Sequence, residues 1–153
     1  MDVTLPSDHE ILITSELDAP RERVFAAWTA PEHLPRWMLG PPGWTMPLCE
    51  NDLRAGGTWR FGWRQEDGLE MVMQGHYEEV AAPERIVSRS SWGPEWPETR
   101  ETLTFTERDG RTTVAKRIAY PSREARDAAL GTGMTEGMRL SYGRLAELLG
   151  RMA

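Results

Sequence analysis

One lysine stands among seventeen arginines, and its place in the chain makes it the residue best set to do chemistry. Lys116 lies between Val114 and Ile118, both bulky and apolar, while Ala115, Arg117 and Ala119 take the alternate positions. Period-two alternation therefore puts Lys116 on the inward side of a strand. Asp109-Gly110 is a favoured two-residue turn joining residues 99–107 to 111–120. It sets Phe105 opposite Val114, Leu103 opposite Lys116 and Glu101 opposite Ile118, with Glu101 diagonal to Lys116 on one face. A buried lysine costs several kcal/mol unless it is paired, and Glu101 is the natural counter-ion. The functional reading is a polar anchor for a ligand carboxylate or carbonyl, or a general acid/base pair. The bland reading is a bulge that turns Lys116 outward, or a lysine that reaches water from a cavity mouth.

Around that pair the sequence offers apolar surface rather than reactive groups. Trp37, Trp59, Phe61, Trp63, Met71, Met73, Tyr77, Trp92, Met134 and Met138 are either a packed core or the wall of a cavity. A strongly curved sheet under one helix leaves space that such side chains line, in the usual range of roughly 300 to 1,000 Å³. His9, His33 and His76 lack metal-ligand spacing, so no zinc site is expected, and no cofactor is expected either. Cys49 has no histidine partner in sequence and reads as a buried apolar residue. Ser88 and Ser90 lack a Gly-x-Ser-x-Gly elbow. Gly56-Gly57 reads as a turn, because no helix start follows to hold a phosphate. Asp52 and Arg54 read as a structural pair. No catalytic group is identified.

Composition narrows the class. At 153 residues the chain fits one domain, 1–153, able to enclose a core without disulfides or metals. Seven Trp and eight Met exceed ordinary usage, and both residue types build adaptable apolar surfaces. The formal charge of -6, with acids and bases interspersed, disfavours nucleic acid and anionic lipid surfaces. No run approaches the roughly 18 to 20 apolar residues of a membrane span. The start does not read as a secretory signal, and a lone cysteine fits a reducing cytoplasm.

The positioning elements follow from periodicity. Residues 9–17 alternate as a first strand. Asp18 is expected to cap a helix starting near Pro20. Thr29-Ala30-Pro31-Glu32 reads as a capping box opening a second helix to Trp37, kept short by Pro35. After the loop Gly40-Pro41-Pro42-Gly43, residues 45–53 form a strand that Pro47 marks as an edge or bulged one. Trp59, Phe61 and Trp63 then alternate with Arg60, Gly62 and Arg64, the clearest strand signal in the chain. Met71, Met73, Gly75 and Tyr77 share a face of the next strand, with His76 on the solvated side. Ile86, Ser88, Ser90 and Trp92 alternate on the one after. Ser122 opens the last helical region, Gly131 and Gly133 break it, and a long helix covers about 133–149. Its face carries Met134, Met138, Ser141, Tyr142, Leu145 and Leu148. The predicted order is a strand, two short helices, six strands in meander and a long helix. This is an α+β fold with about six to seven antiparallel strands, one face covered by the last helix.

Several motifs recur in one known family. They are Asp18-Ala19-Pro20, Val24-Phe25-Ala26-Ala27-Trp28-Thr29, Pro31-Glu32, Trp37, Asp52-Leu53-Arg54, Gly56-Gly57, Gly75-His76-Tyr77-Glu78-Glu79-Val80, Pro83-Glu84-Arg85 and Arg144-Leu145-Ala146-Glu147-Leu148-Leu149. In these the chain resembles the START/Bet v 1-like (SRPBCC) superfamily, in the branch related to the activator of the ninety-kilodalton heat-shock protein ATPase. The resemblance implies a helix-grip fold with a cavity between sheet and long helix that takes small apolar molecules. It also admits a cyclase, dehydratase or hydrolase using that cavity, a co-chaperone-like interaction domain, and a homodimer. It carries over no catalytic residue. A single domain without the eukaryotic co-chaperone's N-terminal domain counts against the co-chaperone reading. The chain departs from the family pattern at Pro35, at Met38, where a second Trp is common, and at Lys116, where an apolar residue is usual. Met38 and Lys116 bear on the cavity wall.

Overall fold

The computed structural model describes residues 1–152. In chain order the elements are β1 (Asp2–Thr4), β2 (Glu10–Leu17), α1 (Arg21–Thr29), α2 (Leu34–Trp37), β3 (Trp44–Asn51), β4 (Thr58–Gln65), β5 (Glu70–Ala81), β6 (Arg85–Ser91), β7 (Thr99–Arg108), β8 (Arg111–Ala119), α3 (Arg123–Leu130) and α4 (Met134–Arg151). The strands form one eight-stranded sheet in the order β1-β2-β8-β7-β6-β5-β4-β3. All neighbours are antiparallel. The meander from β3 to β8 is as the sequence implies, and the fold is the helix grip. The strand count is one above the predicted range. The extra strand is β1, whose three residues are too few to show an alternation; it extends the sheet beyond β2.

Each hairpin is held by a local signal. Asp109 and Gly110 both take positive φ, which matches the turn to the strands' twist. The register across it is the predicted one: Phe105 faces Val114, Leu103 faces Lys116, and Glu101 faces Ile118. Pro47 falls in a register shift between Thr45 and Leu48 on β3, which is also the sheet's edge, so both expectations for that strand hold.

Two helix-start expectations do not hold. Pro20, not Asp18, is the N-cap of α1, and no side chain caps it. The predicted capping box is absent, because α1 runs on through Thr29. The Thr29 hydroxyl instead donates back to the Phe25 carbonyl at 2.8 Å. This is the competing local bond open to a hydroxyl inside a helix. α2 is a single turn with Pro35 in its first positions, where a missing N–H leaves nothing unsatisfied. Ser122 does cap α3, accepting from the Ala125 N–H at 3.1 Å.

The core lies between the concave face of the sheet and the helices α1, α2 and α4. Phe25, Trp28, Trp37, Phe105 and Tyr142 form its aromatic centre, with Trp28 and Trp37 rings 4.8 Å apart and Trp28 and Tyr142 5.3 Å apart. α4 lies nearest α2, α1 and α3 rather than any strand, so side chains bridge the distance between helix and sheet.

Candidate ligand-binding site

Lys116 does turn inward. Its ammonium lies 3.7 Å from the Glu101 carboxylate, and the two side chains are 16% and 12% exposed. Neither bulge nor outward turn occurs, since β8 pairs without interruption with both β2 and β7. The pair is loose, however. No hydrogen bond to either side chain is present among the described residues, although Lys116 carries three donors. Two charges held out of water at this distance recover less than a close, hydrogen-bonded pair would.

Glu101 sits amid phenols. Burial pushes the Tyr120 hydroxyl up to about 12, and the Glu101 charge adds to the shift. Tyr142 and Tyr77 are also raised well above the usual tyrosine range, first by burial and then by charges that include Glu101. For Tyr77 a hydrogen bond to Asn51 pulls in the other direction. The Tyr77 hydroxyl donates to the Asn51 side-chain oxygen, and the Asn51 amide donates to the Thr29 carbonyl at 2.7 Å. A polar line thus crosses from β5 through β3 to the end of α1.

Among the buried groups left without a partner are the Tyr142 hydroxyl and the Trp59 indole N–H. A buried donor left unpaired costs about 1 to 3 kcal/mol. Trp59 can lie flat across β5 only because Gly75 faces it. A Cβ there would come within 2.8 Å of the Trp59 ring and 1.9 Å of the Arg89 carbonyl oxygen.

The predicted lining residues divide into groups. Trp37 is a core residue, with its N–H donating to the Ala27 carbonyl at 2.9 Å. Trp59 stacks on Phe61 at 5.0 Å, Phe61 meets Trp63 edge-on at 6.3 Å, and Trp63 lies 5.2 Å from Trp92. Trp63 is fixed by its N–H donating to the Met38 carbonyl at 2.7 Å. Trp92 and Met71 are each 42% exposed and sit at an open end of this ladder rather than inside it. Met73, Met134 and Met138 are half-buried against the core. Tyr77, Glu101 and Lys116 make the polar part. Of two surface clefts, neither is lined by Lys116 or Glu101, and the smaller takes in Trp63 and Met71. One of about 630 Å³ is at the C-terminal end of α4, and one of about 200 Å³ lies beside β3, β4 and β5.

Sequence reading left Asn51, Tyr120 and Tyr142 out of the site. Tyr120 continues the alternation of Lys116 and Ile118, and Tyr142 shares the face of Met138 and Leu145, so both were within reach of periodicity. Asn51 was not, because the bulge at Pro47 resets which residues of β3 face inward.

A family profile described as "Activator of Hsp90 ATPase homolog 1-like protein" matches residues 18–150. The chain belongs to that family. The fold and motifs place this Hsp90-activator-like family in the SRPBCC superfamily, which commonly binds hydrophobic ligands. Among solved structures, a protein from Rhodobacter sphaeroides aligns over 99% of each chain with 26% identity and a TM-score of 0.92. A Mycobacterium smegmatis protein aligns over 97% of this chain and 96% of its own, with 26% identity and a TM-score of 0.86. An AHSA1-like protein from Aeromonas hydrophila shares the fold at 20% identity, covering 90% of this chain and 93% of its own, with a TM-score of 0.74. A search of curated proteins returned no significant match. No helix among the described residues is long and apolar enough to cross a membrane, and no His, Cys, Asp and Glu cluster there could hold a metal ion.

Proposed function

We propose that this Hsp90-activator-like chain binds a small apolar or amphipathic molecule between the sheet and the N-terminal half of α4. The observation that carries the reading is the Lys116–Glu101 pair, inward and largely buried, 3.7 Å apart and without hydrogen bonds. A ligand oxygen accepting from Lys116 would complete the ammonium's hydrogen bonding. The unpartnered Tyr142 hydroxyl and Trp59 N–H offer further donors. Trp63, Trp92 and the half-buried methionines supply apolar contact, and Met side chains adapt readily to different shapes.

Entry would be by the first turns of α4. Met134 and Met138 are half-buried and Leu140 is exposed, whereas Ser141, Tyr142, Leu145, Leu148 and Leu149 further along are buried. Gly133 starts the helix at φ 82, a left-handed conformation that glycine adopts without strain. On this reading residues 1–153 act as one binding unit.

Native mass spectrometry of freshly purified protein tests the reading, followed by tryptophan fluorescence titration with a broad apolar library. A co-purifying organic molecule, or saturable quenching that Lys116→Met weakens, is the expected result. Unchanged fluorescence across the library, with no co-purifying molecule, would remove the proposal. Turnover of a bound molecule, abolished by Glu101→Gln, would instead make the site catalytic.

A further inference from the structure

The larger of the two surface clefts differs in charge from the proposed ligand site and lies further along α4. It is lined by Arg36, Arg144, Glu147, Leu148, Arg151 and Met152, and its volume is about 630 Å³. Of the seventeen arginines, twelve pair with a carboxylate. Among the described residues the exceptions are Arg23, Arg36, Arg60, Arg144 and Arg151, and three of these five line this one cleft. In a chain of formal charge -6, that leaves a net basic spot, three arginines against Glu147, facing an open hollow.

Helix ends account for part of the pattern. Arg36 lies in the last turn of α2 and Arg151 in the last turn of α4, where a cation offsets the carbonyl dipole. That account does not reach Arg144, about two turns before the end of α4. One of its guanidinium nitrogens, Nη1, is buried and has no hydrogen-bond partner. Arg144 is thus short of a partner where it lines the cleft, and a guanidinium is the side chain whose planar fork matches an oxyanion.

We propose that this cleft binds the phosphate group of a small phosphorylated molecule. Arg144, Arg36 and Arg151 hold the oxyanion. The cleft is far larger than a bare phosphate, and Leu148 and Met152 give an apolar wall for the remainder of the ligand. Glu147 on the same wall disfavours a second anionic group on its side and accepts from a ligand hydroxyl or amine.

Calorimetric titration with inorganic pyrophosphate and with glycerol 3-phosphate, at low salt, tests the site. One saturable site is expected. Arg144→Gln should weaken it by about tenfold or more. The pair Arg36→Gln and Arg151→Gln should do the same, and both are exposed, so the fold is not at stake. Arg23→Gln and Arg60→Gln, also unpaired but outside the cleft, should leave binding unchanged. A flotation arm with vesicles containing phosphatidic acid separates the sources. Vesicle binding without binding of soluble phosphates, lost with the same arginines, assigns the phosphate to a lipid headgroup. Absence of saturable binding to either overturns the site, as does equal loss in the Arg23 and Arg60 variants.

Discussion

The two halves of α4 cover different interiors. Its C-terminal half buries Tyr142, Leu145, Leu148 and Leu149 against α1, α2 and the aromatic centre, where Trp28, Trp37 and Phe105 meet at ring distances of 4.8 to 5.9 Å. Its N-terminal half brings only half-buried methionines toward the sheet. One half is closed by edge-to-face aromatics, with the Trp37 indole N–H satisfied by the Ala27 carbonyl and the Tyr142 hydroxyl left without a partner at its inner edge. Elsewhere on the concave face polar atoms are left short of partners, as at Lys116 and Trp59. The difference teaches where fold and function part company: the family motifs in α1 and α2 build the closed half. The unpartnered Trp59 N–H and the Glu101–Lys116 pair lie on β4, β7 and β8.

The largest effect should come from breaking the closed half. Trp37→Ala removes a fully buried indole and its hydrogen bond to Ala27, and should cost about 3 to 5 kcal/mol in urea unfolding. A loss below 1 kcal/mol would mean that this half is not the packed core it is taken for. Next in size is Lys116→Met, which strands the Glu101 carboxylate. For a pair still partly exposed, a loss of about 1 to 3 kcal/mol is expected. The double variant Lys116→Met with Glu101→Leu should recover most of that loss. Recovery would show that the pair is kept for something other than stability, and a double variant as unstable as the single would make it structural.

Legibility in the sequence follows the same division. The hairpin register at Asp109-Gly110 was readable to the residue, because one turn type fixes which positions face each other. That register in turn placed Lys116 beside Glu101. The meander was readable because each strand ends at its own turn signal. What stayed hidden depends on the surroundings. Thr29 satisfies both a capping box and a helix interior, and only the run of α1 decides between them. Trp92 alternates like a core residue, yet it lies at the sheet's open end, and alternation reports a face without reporting what covers it. Asn51 sits beyond a bulge, where period-two counting loses its phase.

A pH titration probes the polar cluster with a smaller effect. Tyr77, Tyr120 and Tyr142 all have their ionisation raised by burial, with Glu101 adding to it. Between the ordinary tyrosine value near 10 and the raised one, the unfolded chain has lost protons that the folded chain keeps. Their contribution to stability is therefore fully present below about pH 10 and is lost as pH climbs toward 12 and beyond. Thermal midpoints should fall through that window, and Tyr120→Phe should flatten the fall. A midpoint that is level there would place the phenols in water.

The smallest stability effect belongs to the open end, and it separates the halves most sharply. Trp92 is 42% exposed and rests against Trp63 at 5.2 Å, so Trp92→Ala exposes one face of a neighbour that has its own hydrogen bond to Met38. Surface truncations of this kind change stability by about 0.5 kcal/mol or less. If the ladder from Trp92 to Trp59 is the apolar wall of a ligand site, the same substitution should weaken binding by about tenfold, since burial of an aromatic face against a ligand is worth roughly 1.5 kcal/mol. Trp37→Ala would lose both fold and binding, whereas Trp92→Ala should lose only binding. Equal ligand affinity before and after Trp92→Ala would confine recognition to the buried part of the ladder, between Trp59 and Trp63.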